Sequence, residues 1–217
     1  MPTQFNIVNI LATLVALVVG ISVHEFSHAW SANMLGDPTA KQQGRLSLNP
    51  MVHFDPIGFM MLVLMSFGFF GITWGRPVPI NPYRIRGGRH GMALSSVAGP
   101  VSNLIVATVF GLSIRLVPQW VAQLPEGFQV LLFMIVIFNV LLAIFNLIPI
   151  PPLDGFNVLE GVVPGSWVPA LQPVRQYGMP ILLMLIFMGP LLHLNLLGGI
   201  ISPAQQFVLG LLLGNVW

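Results

Sequence analysis

The sequence predicts an all-α integral membrane bundle of about five transmembrane helices, with one membrane re-entrant element of some strand character. Of the 217 residues, 55% are hydrophobic and only 6% are charged, whereas soluble domains carry about 25% charged residues. Apolar stretches long enough to cross a bilayer recur along the chain. No polar block is long enough for a separate soluble domain, so we expect one membrane-embedded domain over residues 1–217. The candidate functional residues described below fall within about 6–160, and apolar helices at about 178–214 follow.

The first predicted span runs from Phe5 to Leu35 and ends at Gly36-Asp37-Pro38, because glycine and proline stop a helix. At about 1.5 Å per residue this stretch can cross a hydrocarbon layer of about 30 Å. The span begins close to the amino terminus and carries a cluster of ionisable residues described below, so we do not interpret it as a cleaved signal peptide. A polar stretch, 39–56, follows.

A glycine-interrupted apolar stretch, 57–74, precedes 75–82, whose prolines exclude a helix and suit an extended edge strand. If 57–74 crossed the membrane, basic residues would lie on both sides. If it enters and returns, the basic residues share one side, as the positive-inside rule prefers. These residues are Lys41, Arg45, Arg76, Arg84, Arg86, Arg89 and Arg175. We therefore predict a re-entrant element, an amino terminus outside, and a site near the cytoplasmic face.

Four more apolar stretches complete the predicted bundle. They are 91–117, 128–148, 178–192 and 196–214. The second of them runs into a proline-rich break that ends at Asp154 and Gly155. In the re-entrant topology this break lies at the depth of the two histidines described next.

The most informative motif is His24-Glu25-Phe26-Ser27-His28, inside the first span. Residues four apart on a helix share a face and lie about 6 Å apart along the axis. Two such imidazoles can hold one zinc ion, and Glu25 can take the proton from an attacking water. The same spacing arises by chance on soluble surface helices, but ionisable residues inside a membrane helix are costly and usually functional.

A catalytic zinc needs a third protein ligand. The chain has no cysteine, so five histidines and six acidic residues are the available donors. Asp154 is the best candidate, because two neutral imidazoles and one carboxylate leave the site at +1. The alternative is that Asp154 caps the helix that follows it. We expect His53 and His90 to be solvated or structural, and His193 to be interfacial or pore-facing.

Three blocks carry a resemblance to the site-2 protease family of intramembrane zinc metalloproteases. They are the His24–His28 motif, Gly99-Pro100 with Asn103, and the stretch from Asn146 to Asp154-Gly155. Two looser blocks, 44–50 and 74–82, resemble the compact bacterial subgroup, and the resemblance covers about residues 15–160. No PDZ-like or CBS-like insertion fits, so the substrate filtering and nucleotide sensing of some relatives are not implied.

The resemblance implies that His24, His28 and Asp154 bind one Zn²⁺ per chain and that Glu25 is the general base. Asn146 matches a family asparagine ahead of the Leu-Asp-Gly block. It either hydrogen-bonds substrate backbone or the oxyanion, or makes a polar contact between helices. The family also has a re-entrant element with strand character after the zinc helix.

We expect hydrolysis of a peptide bond within or beside a transmembrane helix of a membrane-protein substrate, as in regulated intramembrane proteolysis. The alternatives are a zinc transporter, which would carry more ionisable residues along a path, and a non-catalytic membrane scaffold. The expected location is a bacterial inner membrane, in contact with lipid. The net charge of +2 comes mainly from loop arginines, which report orientation, and we expect no nucleic-acid partner.

Overall fold

The computed structural model describes residues 6–67, 75–192 and 194–214. Within these ranges the chain is helical, with short 3₁₀ turns at Pro50–Val52 and Gly165–Leu171. The helices are α1 (Ile7–Met34), α2 (Thr39–Gln42), α3 (Pro56–Ser66), α4 (Gly88–Leu116), α5 (Pro118–Ala122), α6 (Glu126–Asn146), α7 (Asp154–Val162), α8 (Gln172–Leu191) and α9 (Leu196–Leu213).

Four of the described helices, α1, α4, α6 and α9, are long and apolar enough to cross a membrane. The predicted count of about five spans is therefore not confirmed. The remaining predicted span, 178–192, corresponds to α8, which begins at Gln172 and carries Arg175 near its amino-terminal end. His193, expected at an interface or pore, lies outside the described residues.

The centre of the bundle is formed by α1, α4 and α6, each packed against the other two, while α7 lies on α4. α9 packs on α4 and α6 around fully buried aliphatic side chains. Small residues allow the central helices to approach closely, since Ala16, Ala29, Ala107 and Ala143 are all fully buried. This close approach brings polar groups of three helices to one place.

The predicted re-entrant stretch, 57–74, is described only up to residue 67, and 68–74 lie outside the described residues. Its first part is α3, whose 11 residues reach about 16 Å and would cover only half of a hydrocarbon layer. Phe54 and Gly75 form an antiparallel bridge, and the Arg76 N–H donates to the His53 carbonyl at 2.7 Å. The two ends of the stretch therefore meet, as a re-entrant path requires.

The predicted strand character of this element is not confirmed, because the described residues show one isolated bridge here and no strand. Residues 76–80 are nevertheless non-helical. They contain Pro77 and Pro79, the prolines from which an extended chain is predicted. The re-entrant course itself stays a prediction.

The buried Asp37 carboxylate ties the end of α1 to the segment that leads into α4. It accepts hydrogen bonds from the Thr39 N–H at 3.1 Å, the Thr39 hydroxyl, and the Asn81 N–H at 2.6 Å. Burial alone would raise the pKa of Asp37, but these hydrogen bonds outweigh burial and lower it. On the other side of the junction, the Arg86 guanidinium donates to the Met34 carbonyl at 2.6 Å.

We expect Asp37→Asn to lower the free energy of unfolding by about 1–3 kcal/mol, because the amide leaves a buried donor without an acceptor. The folded-state pKa of Asp37 is lowered, so its contribution is complete above the unfolded pKa of about 4 and is lost as the pH falls through the folded pKa. Thermal unfolding in detergent should therefore separate wild type from variant at neutral pH and bring them together in acid.

Asp55→Asn is the matched control. The Ile57 and Gly58 N–H groups both donate to the same Asp55 oxygen, Oδ1, and the amide retains an oxygen there. An equal loss of stability in both variants would contradict the role given to Asp37.

The topology is tested by single-cysteine labelling of this cysteine-free chain. Cysteines at Lys41 and at Tyr83, which is 97% exposed, should react from the same side of the membrane if 57–74 is re-entrant, as the sequence predicts. A cysteine at Gln123 should react from the other side, since α4 lies between Tyr83 and Gln123. Labelling of Lys41 and Tyr83 from opposite faces would show that 57–74 crosses.

Candidate metal and active site

His24 and His28 lie one turn apart on α1 and are 7% and 6% exposed. Their Nε2 atoms are 3.0 Å apart. The Asp154 Oδ2 atom lies 3.1 Å from each of these nitrogens. The structure thus brings together the three residues predicted as metal ligands, and within the described residues they are the group of histidine and acidic side chains suited to hold a metal ion.

The backbone of α4 lies directly against the two imidazoles at Gly99. A Cβ at this position would stand 2.5 Å from the His28 Nε2 atom and 2.7 Å from the His24 Cε1 atom. Such distances are far below van der Waals contact, so only glycine lets α4 pack here without displacing the rings.

Asp154 reaches the histidines because the chain turns back tightly after α6. A Cβ at Gly155 would lie 2.2 Å from the Leu147 carbonyl oxygen, so glycine is required for this turn. The alternative role as a helix cap is not adopted, since Asp154 is already the first residue of α7 and no side-chain cap is made there.

The Asp154 carboxyl is ionised at neutral pH. Burial alone would raise the pKa of Asp154, but hydrogen bonds with His24 and His28 outweigh burial and lower it to about 2. A deprotonated carboxylate is the form that binds metal.

Each histidine contacts a second polar group through its other ring nitrogen. The His24 Nδ1 atom is 2.7 Å from the Asn103 Oδ1 atom, and the His28 Nδ1 atom is 2.8 Å from the Ser95 carbonyl oxygen. A carbonyl can only accept, so His28 carries a proton on Nδ1, and its Nε2 atom is the ring nitrogen that faces Asp154. Sequence reasoning missed Ser95, because a backbone carbonyl leaves no residue-type signal.

Glu25 lies beside the three predicted ligands without joining them. Its Oε2 atom accepts the Val78 N–H at 3.0 Å. Val78 lies between Pro77 and Pro79, which have no N–H, so it supplies the donor in that stretch. Glu25 therefore stands between the histidines and the non-helical segment 76–80.

A cavity of about 460 Å³ is lined by the side chains of His24, Glu25, His28 and Asp154. Most of its remaining surface is apolar, with walls from Leu17, Ile21, Leu142 and Phe145. The cavity therefore combines a compact polar centre with walls suited to apolar side chains.

Asn146 lies on the wall of this cavity, but its Nδ2 atom donates to the Leu142 carbonyl of its own helix at 2.9 Å. The polar contact between helices is made about two turns earlier by Asn139, which sequence reasoning missed. The signal available in the sequence was an asparagine within the apolar span 128–148. In the structure its amide is fully buried. The substrate-contacting role of Asn146 stays a prediction.

The other described histidines lie away from the ligand group. His53 is fully buried, with its Nε2 atom 2.6 Å from the Ser47 carbonyl oxygen, which is a structural contact. His90 is exposed.

Comparison with known proteins places this arrangement in a family. The profile of Peptidase family M50 matches residues 113–189, a segment that contains Asp154 but not the His24–His28 motif. A Bacillus subtilis protein named "Putative zinc metalloprotease YwhC" is 36% identical over 182 residues, which cover 82% of this chain and 80% of that protein.

Two further relatives are also named "Putative zinc metalloprotease". Rip2 of Mycobacterium tuberculosis H37Rv is 31% identical over 81% of this chain and 66% of its own length. MJ0611 of Methanocaldococcus jannaschii is 26% identical over 85% of this chain and 84% of its own length. No solved structure matches the chain.

Four apolar helices around a buried group of two histidines and an aspartate define an integral membrane protein with a candidate metal centre. The chain belongs to peptidase family M50, the site-2 proteases. The resemblance found in the sequence is thereby confirmed.

We expect Gly99→Ala to lower zinc occupancy and shift both imidazoles, because its Cβ would overlap them. Zinc content of the purified protein, measured by elemental analysis, checks this. Gly210→Ala is the control, since a Cβ there meets nothing within 4 Å and alanine favours the helix by about 1 kcal/mol. Equal zinc content in the two variants would contradict the close approach of α4.

Proposed function

We propose that this protein is a zinc-dependent intramembrane endopeptidase that hydrolyses a peptide bond in or beside a transmembrane helix of a membrane-protein substrate. The observation that carries the proposal is the convergence of the two His Nε2 atoms and the Asp154 Oδ2 atom within 3.0–3.1 Å of one another, next to Glu25 in a membrane-embedded cavity.

The donor set fits one zinc ion per chain. Tetrahedral zinc with nitrogen and oxygen ligands at about 2.0–2.2 Å separates neighbouring ligand atoms by about 3.3 Å, a few tenths of an ångström more than the distances here. Three protein ligands that leave one position open are typical of catalytic zinc. His24, His28 and Asp154 would hold the ion, and their summed charge would leave the site at +1.

Bound zinc would supply Lewis acidity to the scissile carbonyl and lower the pKa of a water molecule. The chain's own contribution is proton transfer and positioning. Glu25 is adjacent to His24 but points about 100° away around the helix axis, so it can accept the proton of the attacking water without taking a ligand position. It then returns that proton to the leaving amine. Asn146 would bind substrate backbone from the cavity wall.

The cavity also indicates how a substrate is held. Its apolar walls accept the side chains of a membrane segment, while a helical substrate hides its carbonyls and must unwind locally to react. The proline-containing, non-helical segment 76–80 beside Glu25 would pair with such an unwound stretch as an added strand. We therefore propose substrates with helix-breaking residues near the cleavage site, in a bacterial inner membrane, with the site towards the cytoplasm.

Glu25→Gln tests the proposal, because it removes the base while preserving side-chain volume. We expect zinc content near that of wild type and cleavage lower by a factor on the order of 10² to 10⁴. The measurement is cleavage of a panel of tagged single-span membrane proteins by co-expressed wild type and variant. Asp154→Ala is the companion variant, expected to lose both zinc and cleavage.

Two outcomes would contradict the proposal. Cleavage by Glu25→Gln at the wild-type rate would remove Glu25 as the base. Full zinc retention in Asp154→Ala would remove that carboxylate from the metal. A zinc transporter with the same ligands has no need of Glu25, so metal transport unaffected by Glu25→Gln, with no cleavage by wild type, would favour that alternative.

A further inference from the structure

We propose that Asn103 of α4 and Asn139 of α6 form an amide relay that positions His24 for metal binding, an inference that rests on the metal site proposed above. The His24 Nδ1 atom contacts the Asn103 Oδ1 atom at 2.7 Å, and the Asn103 Nδ2 atom donates to the Asn139 Oδ1 atom at 2.8 Å. Both asparagines are fully buried. Neither touches the cavity wall, so both act through His24.

The orientation of the two amide groups is set by backbone carbonyls, which can only accept hydrogen bonds. The Asn139 Nδ2 atom donates to the Ile135 carbonyl at 2.8 Å, which turns the Asn139 oxygen towards Asn103. The Asn103 Nδ2 atom uses its second hydrogen on the Gly20 carbonyl at 3.0 Å. Rotating the Asn103 amide by half a turn would place its oxygen against two acceptors, so one orientation satisfies every group.

This orientation decides the tautomer of the neutral His24 ring. The Asn103 oxygen that faces Nδ1 is an acceptor, so the neutral imidazole must carry its hydrogen on Nδ1. Its Nε2 lone pair is then free, and it points at the place where the His28 Nε2 and Asp154 Oδ2 atoms also point. Second partners of this kind fix both the tautomer and the ring orientation of metal-binding histidines.

The two histidines differ in how this is achieved. His28 is held by the Ser95 backbone carbonyl, which cannot rotate and which no substitution removes. His24 is held by a side chain on a second helix, backed by a side chain on a third. Its readiness to bind metal therefore depends on α1, α4 and α6 being correctly packed.

Packing alone does not account for the two amides. Asn139 lies in the same buried stretch of α6 as Val136 and Val140, which are fully buried, and an apolar side chain would fit that setting without hydrogen-bond partners. Buried amides are costly unless every group is satisfied. Here every amide group has a partner, and the series of hydrogen bonds ends on the ring of His24.

The experiment measures the zinc dissociation constant in detergent, by competition with a chromophoric chelator, for wild type, Asn103→Leu and Asn139→Leu. Leucine has the same branched arrangement of side-chain heavy atoms as asparagine, although it is larger, and it lacks the polar atoms. We expect Asn103→Leu to weaken zinc binding by about 10- to 100-fold, the usual effect of removing a second partner. Asn139→Leu should lie between it and wild type, because Asn103 keeps its contact with the Gly20 carbonyl.

A second readout separates positioning from mere structure. In zinc-loaded, ¹⁵N-histidine-labelled protein, the Nδ1–H signal of His24 should shift in both variants, more in Asn103→Leu, while that of His28 stays in place. Val136→Ala is the control for lost packing, expected to lower thermal stability without changing the zinc dissociation constant.

Wild-type zinc affinity and an unmoved His24 signal in Asn103→Leu would overturn the relay. If that variant does not fold, the same results in Asn139→Leu would overturn it. Failure of the metal site itself is distinguishable, because His24→Ala would then bind zinc as tightly as wild type.

Discussion

The structure depends on one constraint, which is that ionisable side chains inside an apolar bundle must satisfy one another. An imidazole or a carboxylate left alone there would lose its hydration without compensation. His24, His28 and Asp154 meet within hydrogen-bond distance, and the outer ring nitrogens have partners on α4. The helices that carry these groups are therefore fixed relative to one another by chemistry as well as by packing.

Close helix approach makes this possible. Gly99 brings the α4 backbone against both imidazoles, and Gly155 lets the chain double back so that a carboxylate from beyond α6 arrives at α1. In a bilayer the lipid gives helices little hydrophobic reason to associate, so small residues and internal hydrogen bonds carry more of the packing. The same residues thus serve the fold and the site.

The parts of the site that follow from helix periodicity could be predicted from the sequence. His24 and His28 share a face because they are four residues apart, and Asp154 is a carboxylate at the end of a span that must return to their depth. Asn139 could not be assigned in the same way, because a single asparagine in an apolar run does not reveal which neighbour it meets. Ser95 contributes only backbone, which any residue offers.

The fold was predictable to the level of its long spans. Residues 7–34, 88–116, 126–146 and 196–213 follow from apolar length alone. The stretch after α2 was harder, since glycine, proline and short apolar segments specify no regular element, and its path is set by contacts distant in sequence. Those contacts are the bridge between Phe54 and Gly75 and the hydrogen bonds accepted by two carboxylates, Glu25 and Asp37.

Those two carboxylates have a consequence for how the chain tolerates change in length. Glu25 accepts the Val78 N–H and Asp37 accepts the Asn81 N–H, three residues further on, a reach of about 10 Å for extended chain. A deletion or insertion between Val78 and Asn81 would break one tether or the other. Loop length is therefore constrained here, in contrast to the surface loops that usually accommodate insertions and deletions.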